Sequence, residues 1–162
     1  MNLIACVDKN WGIGKNGSLL FSIKQDMEFF KSKTIGKTVV MGRKTFDTLG
    51  KPLKGRKNVV LTHNPDFKHE GVIVCRSVDE VLKICENDEI FVIGGSEIYE
   101  RFLPYCKTAY ITKVDAIKDA DAYMVNLDKE KDWELARETK DFLQGKSAYR
   151  FAVYEKTGGK SC

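Results

Sequence analysis

The chain has no apolar run long enough to cross a membrane, and its first residues, MNLIACVDKN, lack the basic start and apolar core of a secretory leader. Cytoplasm is the expectation that follows. There are only two histidines, His63 and His69, both in a polar loop away from acids, so no metal site is expected. The five cysteines, Cys6, Cys75, Cys85, Cys106 and Cys162, are odd in number and show no paired short spacing, which argues against a disulfide framework or a zinc site. The first four lie in apolar or strand-like contexts and read as small, buried or half-buried hydrophobes. Cys162 ends a Gly-Gly-Lys-Ser tail and reads as an exposed thiol. Neither sign of charge is concentrated. The net charge of +4 is spread along the chain, too mild for nucleic acid, although it suits an anionic small ligand. No serine or cysteine nucleophile stands near a plausible base, and there is no repeat, low-complexity segment or linker.

What remains is an ordinary globular composition, 43% apolar and 31% charged over 162 residues, enough for one domain with a core. The apolar pattern predicts strands at residues 3–7, 38–41, 58–61, 71–75 and 89–93. Helices are expected from a Ser22/Gln25 capping box to about Lys33, near residues 44–49, from a Ser77/Glu80 capping box to about Glu86, and over residues 96–103. Residues 10–22 carry three glycines and no periodicity, so they read as a loop too long to lack a purpose. Segments 109–114, 133–140 and 148–155 are longer and alternate in polarity, as antiparallel or edge strands do. The expected fold is α/β, one three-layer domain. It has a mostly parallel central sheet of about eight strands, about four helices and a C-terminal antiparallel hairpin. The domain would cover residues 1–157, with 158–162 as a flexible tail.

Gly12-Ile13-Gly14-Lys15-Asn16-Gly17 formally matches the dinucleotide fingerprint G-x-G-x-x-G. No helix opens within it, and the next strand ends in Met41-Gly42-Arg43 without an acid, so a mobile lid over a site is the better reading. Two other junctions suit phosphate. At residues 90–95 a strand meets a helix through Gly94-Gly95, with Ser96 available as cap. At residues 38–45 a strand passes through Gly42 into Arg43-Lys44-Thr45. Together they could hold the two ends of one dinucleotide, with Arg43 suited to an additional phosphate; alternatively they are tight β–α turns. Asp26 shares an apolar helical stripe with Ile23, Met27 and Phe30. It is either a functional, desolvated acid or a carboxylate placed in a first turn by the helix dipole. Arg56, in Lys54-Gly55-Arg56-Lys57, is either a ligand contact or part of a solvated charge cluster.

Taken together these segments resemble the dihydrofolate reductase family over almost the whole chain. The matching pieces include Leu3-Ile4-Ala5, Gly12-Ile13-Gly14, Asp26 with Phe30-Lys31, and Val40-Met41-Gly42-Arg43-Lys44-Thr45-Phe46. Further on come Pro52-Leu53-Lys54-Gly55-Arg56-Lys57-Asn58, Val92-Ile93-Gly94-Gly95, Ile98-Tyr99, Phe102-Leu103-Pro104 and Tyr110-Ile111-Thr112. The resemblance implies NADPH-dependent reduction of dihydrofolate by a monomer, and ligands such as methotrexate or trimethoprim. It makes Asp26 the single catalytic carboxylate, gripping the pterin 2-amino group and N3, with Thr112 bonded to it and Leu19 and Phe21 contributed by the lid. Met27, Phe30, Leu49 and Leu53 would line the pterin and aminobenzoyl pocket, with Ala5 beside them, and Arg56 would pair with the α-carboxylate of the glutamate tail. The carbonyls of Ile4 and Ile93 would face the pterin 4-position. Gly94, Gly95 and Ser96 would cradle the pyrophosphate across a cis Gly94–Gly95 bond, with Tyr99 near the nicotinamide. Arg43, Lys44 and Thr45 would contact phosphates, Arg43 reading the 2′-phosphate with help from His63 and Arg76. Ala5, Ile13, Gly14, Gly42, Leu61, Thr62, Glu97 and Ile98 complete the implied cofactor contacts.

Two departures from the family pattern stand out. Leu20-Phe21 replaces the Pro-Trp of most bacterial relatives, so the turn loses a stiff proline and an indole donor. A more mobile lid with altered proton delivery and antifolate affinity is expected. Glu97 stands where some relatives carry a basic residue, which shifts the expected NADPH preference onto Arg43. Rival readings are the riboflavin-pathway reductase of the same fold, which has no reason to combine Asp26, Phe30 and Arg56, and a non-catalytic nucleotide-binding module.

Overall fold

The computed structural model describes residues 1–158. Strand β1 (Asn2–Val7) leads into a hairpin of β2 (Gly12–Lys15) and β3 (Ser18–Leu19), then helix α1 (Lys24–Thr34). β4 (Thr38–Gly42) runs directly into α2 (Arg43–Leu49), and β5 (Lys57–Leu61) and β6 (Val72–Cys75) precede α3 (Val78–Ile84). β7 (Ile90–Gly94) meets α4 (Ser96–Phe102), and β8 (Thr108–Val114) follows a 3₁₀ turn at Leu103–Tyr105. The remainder is β9 (Ala122–Tyr123), a second 3₁₀ turn, β10 (Trp133–Glu138), β11 (Phe142–Gln144) and β12 (Ser147–Lys156).

The main sheet has nine strands in the order β10-β12-β8-β1-β7-β4-β5-β6, with β11 paired to β12. Strands β8, β1, β7, β4, β5 and β6 run parallel, and β12 joins antiparallel to β8. Strands β1, β4, β5, β6 and β7 are largely apolar because both their faces are covered, whereas β8, parallel to β1 but antiparallel to β12, alternates in polarity. Leu3, Val40, Val59 and Val92 face one way, onto Val81, Ile98 and Phe102 of α3 and α4. Ile4, Val39, Met41, Val60 and Phe91 face the other, onto Phe29 and Phe30 of α1 and Phe46 of α2. The result is a three-layer α/β domain, as the sequence predicts. Among the described residues no helix is long and apolar enough to cross a membrane.

Four local readings are corrected. Residues 10–22 are not structureless: β2 and β3 form a hairpin and β2 also pairs with β9 in a second, three-stranded sheet. The hairpin turns at Asn16-Gly17, both at positive φ (50° and 78°), the backbone that Asn-Gly tolerates best. The Ser22/Gln25 capping box does not form, because Ile23 is the N-cap residue and makes no side-chain cap bond. Ser77 does cap α3, accepting from the Glu80 N–H, but Glu80 Oε2 reaches back one residue further, to the Arg76 N–H at 2.7 Å. Gly95, not Ser96, is the N-cap position of α4. Cys75, Cys85 and Cys106 are buried free thiols and Cys6 is half-buried, as expected. Cys162, like all of the C-terminal tail after Gly158, lies outside the described residues.

Candidate active site

With its N-cap at Ile23, α1 places Asp26 in its first turn. Asp26 is thus a first-turn acid, and it is also turned toward the sheet. Thr112, 1% exposed, donates its hydroxyl to Asp26 Oδ1 at 2.5 Å. Burial pushes the Asp26 carboxyl above its ordinary range, against hydrogen bonds from Thr112 and from the Cys6 thiol that pull it down. Of the predicted stripe, Ile23 is buried and Phe30 packs against the cluster of Ile4 and Met41, whereas Met27 is 61% exposed.

β1 lies between β8 and β7, so Ile4, Ala5 and Cys6 separate Asp26 from the two glycine junctions. Those junctions are side by side, because β4 pairs with β7 with Met41 opposite Gly94. The Gly94–Gly95 bond is cis. A Cβ on either glycine would lie 3.5 Å from Thr45 Oγ1 of α2, and one on Gly42 would press to 3.0 Å from Ile98 Cγ1 of α4. Ser96 Oγ is buried there with no hydrogen-bond partner. Both helices have only seven residues, so what they offer an anion is free first-turn N–H groups and hydroxyls rather than a long dipole. Tyr99, 4% exposed, spans the gap: its hydroxyl donates to the Ile4 carbonyl at 2.7 Å and lies beside Gly94.

Arg43 reaches Asp47 Oδ2 at 2.7 Å on the half-exposed side of α2, next to exposed Lys44. The guanidinium of Arg76 is turned onto the carbonyls of Thr62 and Asn64, ordering the loop after β5, and His63 on that loop is exposed. Leu61 is buried, and Glu97 is exposed and paired with Arg101 at 2.7 Å. Arg56 is half-buried; it donates to the Thr34 hydroxyl at 3.2 Å and lies 6.0 Å over the Phe30 ring, and this partial burial lowers its proton affinity. Leu53 and Ile93 pack in the cluster around Phe30, while Leu49 and Leu19 are exposed at 38% and 74%. Ile13 is buried beside half-buried Gly14.

Four further residues organise the site. Asn58, 2% exposed, exchanges bonds with both N–H and C=O of Leu53 and also donates to the Arg56 carbonyl at 2.9 Å. Asp8, 2% exposed, accepts from the N–H groups of Asn10, Gly12 and Lys118, tying the root of the β2–β3 hairpin to the loop after β8. Lys118 holds the Leu20 carbonyl, and Cys6 stands opposite Thr112 in the β1–β8 register. A buried polar residue beside a strand was the available signal for Asn58 and Asp8; nothing in the local pattern marks Lys118. A separate cavity lined by Lys9, Lys113, Asp115, Asp128, Asp141 and Arg150 has its charges paired among themselves.

A glycine cradle and a desolvated carboxylate, set on either side of one strand of a parallel sheet, define a nucleotide-binding α/β protein with a single candidate acid. The family model described as dihydrofolate reductase matches residues 1–156. The dihydrofolate reductase of Bacillus subtilis (strain 168) is 36% identical over 159 residues, 96% of this chain and 94% of the relative. That of Staphylococcus haemolyticus is 33% identical over 161 residues, 96% and 95% of the two chains. A structure of dihydrofolate reductase from Enterococcus faecalis, complexed with NADP(H) and RAB-propyl, superposes with a TM-score of 0.87 at 34% identity, covering 96% of this chain and 95% of that one. The chain belongs to the dihydrofolate reductase family.

Proposed function

We infer that this chain reduces 7,8-dihydrofolate to 5,6,7,8-tetrahydrofolate with NADPH, and that Asp26 is its catalytic acid. The observation that carries the assignment is the Thr112–Asp26 bond, which holds a desolvated carboxylate beside the glycine cradle in a member of this family. Neither the riboflavin-pathway reductase nor a non-catalytic module is favoured by the relatives.

The residues present fit the cofactor. The orphaned Ser96 hydroxyl, the side-chain-free Gly94-Gly95 backbone and Thr45 form a polar cradle of the kind a phosphate needs. Gly42, Gly95, Ser96 and Thr45 would hold the pyrophosphate, Arg43 and Lys44 the outer phosphate, and Tyr99 and Ile98 the wall near the nicotinamide. Ala5, Ile13, Gly14, Leu61, Thr62, His63, Arg76 and Glu97 would border it. Bound NADPH supplies the hydride that reaches C6 of the pterin.

The chain's own residues orient the substrate and manage the proton. Ionised Asp26 accepts hydrogen bonds from the 2-amino group and N3 and so polarises the ring, favouring protonation at N5 by water. Thr112 fixes the carboxylate's rotamer. Ile4 and Ile93 present backbone carbonyls to the 4-position, and Ile4 also accepts from Tyr99. Met27, Phe30, Leu49 and Leu53 cover the rings, Arg56 pairs with the glutamate carboxylate, and Leu19 and Phe21 close over the ring. Residues 1–157 act as one reductase domain, a cytoplasmic monomer without nucleic-acid or membrane partners, and antifolates such as methotrexate or trimethoprim compete for the pterin site.

The test is NADPH oxidation with dihydrofolate by the native chain and by Asp26→Asn, repeated with NADH. Turnover that collapses in the variant supports reaction and acid together. Tight NADPH binding without turnover redirects the reading to the sister reductases.

A further inference from the structure

The Asp26 carboxylate is approached from two strands as well as from its own helix. In β1 the alternation sends Leu3 and Val7 toward α3 and α4 and leaves Ile4 and Cys6 on the α1 side. In β8 Ala109 and Ile111 face α3 and α4, while Tyr110, Thr112 and Val114 face α1. The parallel register sets Cys6 opposite Thr112, so a thiol and a hydroxyl stand next to one another on the face that α1 covers. Cys6 packs against the cluster of Ile23, three residues before Asp26, together with Phe21. The Thr112 hydroxyl is already spent on Asp26 Oδ1 at 2.5 Å, and the register places the Cys6 thiol beside Thr112 on the side that α1 covers.

We propose that Cys6 is a positioning residue for the reaction: its S–H is the second neutral donor to the Asp26 carboxylate, so that β1 and β8 hold the acid jointly. The proposal rests on the reading of Asp26 as the catalytic acid. Burial and the neighbouring carboxylate push the Cys6 thiol well above its ordinary range, so it stays protonated and acts as a donor rather than a nucleophile. Lys118, which reaches this cluster at the Phe21 ring, is held by the Leu20 carbonyl. From α4 the facing titratable group is Tyr99, whose hydroxyl burial keeps neutral and whose proton is given to Ile4. Lys113, next to Thr112 on β8, points to the opposite face, onto Trp11, Tyr154 and Asp128. On α1 itself Lys24 and Glu28 are exposed. Two neutral bonds are therefore what offsets the desolvation of the carboxylate, and losing one leaves burial less opposed.

The experiment titrates Asp26 directly, by carbon-13 NMR of its side-chain carboxyl in the free full-length protein, for the native chain, Cys6→Ala and Cys6→Ser. The pH dependence of single-turnover NADPH oxidation is measured in parallel. Cys6→Ala should move the carboxyl's midpoint to higher pH, by about two- to five-fold in proton binding for the loss of one weak hydrogen bond. Cys6→Ser, with a stronger donor of similar size, should return the midpoint to the native value or below it, and the rate profile should follow in both variants. Coincident midpoints in all three proteins, with differences confined to thermal stability, would make Cys6 a packing residue and overturn the proposal. If Asp26→Asn keeps the native rate profile while Cys6→Ala still shifts the carboxyl titration, the failure lies with Asp26 as the acid; the contact stands but its role in the reaction does not.

Discussion

Lys118 Nζ donates to the Leu20 carbonyl at 2.7 Å and lies 4.6 Å from the centre of the Phe21 ring. The turn that lacks the family's Pro-Trp is thus fastened from outside, by a cation on the loop after β8. The same loop contributes Asp121, which pairs with the Asn16 N–H at 3.0 Å.

Lys118→Met should loosen this lid without unfolding the domain. A charge-assisted bond of about 1–2 kcal/mol and a cation–π contact of about 0.5–1 kcal/mol would be lost. The expected result is a KM for dihydrofolate raised about five- to ten-fold, with faster proteolytic cleavage within residues 12–21 and little change in Tm. Unchanged KM and unchanged cleavage would mean that the lid does not depend on Lys118.

Asp26→Asn should abolish most turnover and yet stabilise the fold at neutral pH. Burial raises the carboxyl above its ordinary value of 3.8, so the folded chain holds the proton more tightly than the unfolded one. The stabilising share of that proton is complete below the ordinary value and is lost as pH rises through the raised one. Asparagine never ionises and still accepts from Thr112. Thermal melts of the two proteins should therefore come closest near pH 3, below the ordinary carboxyl value, and separate by pH 7, with the variant melting higher. A lower-melting variant at pH 7 would contradict a desolvated Asp26. Loss of general acid–base assistance predicts a fall in turnover of about 10²–10⁴-fold.

Much of this was legible in the sequence, and the limits have physical causes. Strands β1, β4, β5, β6 and β7 announce themselves because both faces are buried, so their apolar runs are nearly continuous, whereas β8 alternates and read as an antiparallel or edge strand although it pairs parallel with β1. The glycine junctions were legible because few residues tolerate such close approach to another backbone. Asp26 was ambiguous alone and became specific only within the family pattern, since its meaning depends on Thr112, which lies 86 positions away. The Asn16-Gly17 hairpin was missed because its flanking strands, only four and two residues long, carry no alternation to detect. Cys6 read as a small hydrophobe because its partner is fixed by the β1–β8 register, which no local pattern states. Lys118 was invisible for the same reason, its contacts depending on where two loops meet.

Arg43→Gln should separate the two nicotinamide cofactors. The guanidinium can meet a phosphate through two parallel bonds from separate nitrogens, whereas the amide offers a single uncharged –NH2 on a shorter side chain. With about 1.5–3 kcal/mol at stake, KM for NADPH should rise about 10- to 100-fold while activity with NADH stays nearly constant. Equal losses with both cofactors would place Arg43 on the pyrophosphate, or in the α2 ion pair with Asp47, rather than on the 2′-phosphate.

Asn58 ties the start of β5 to the loop that carries Leu53 and Arg56. Its amide accepts from the Leu53 N–H at 2.8 Å and donates to the carbonyls of Leu53 and Arg56 at 2.9 Å, all with 2% exposure. Asn58→Ala leaves one buried donor and two acceptors without partners, a cost of about 2–4 kcal/mol. The loop also relies on Gly55, whose φ of +77° leaves room for Ile35 where a Cβ would sit 2.6 Å from Ile35 Cδ1. Because the tie lies between the core and Arg56, Asn58→Ala should lower Tm and also raise KM for dihydrofolate, with KM for NADPH unaffected. A folate analogue lacking the glutamate tail separates packing from positioning: its affinity should fall much less in the variant than that of dihydrofolate. Equal losses for both ligands would mean that Asn58 supports the pterin pocket as a whole and not the placement of Arg56.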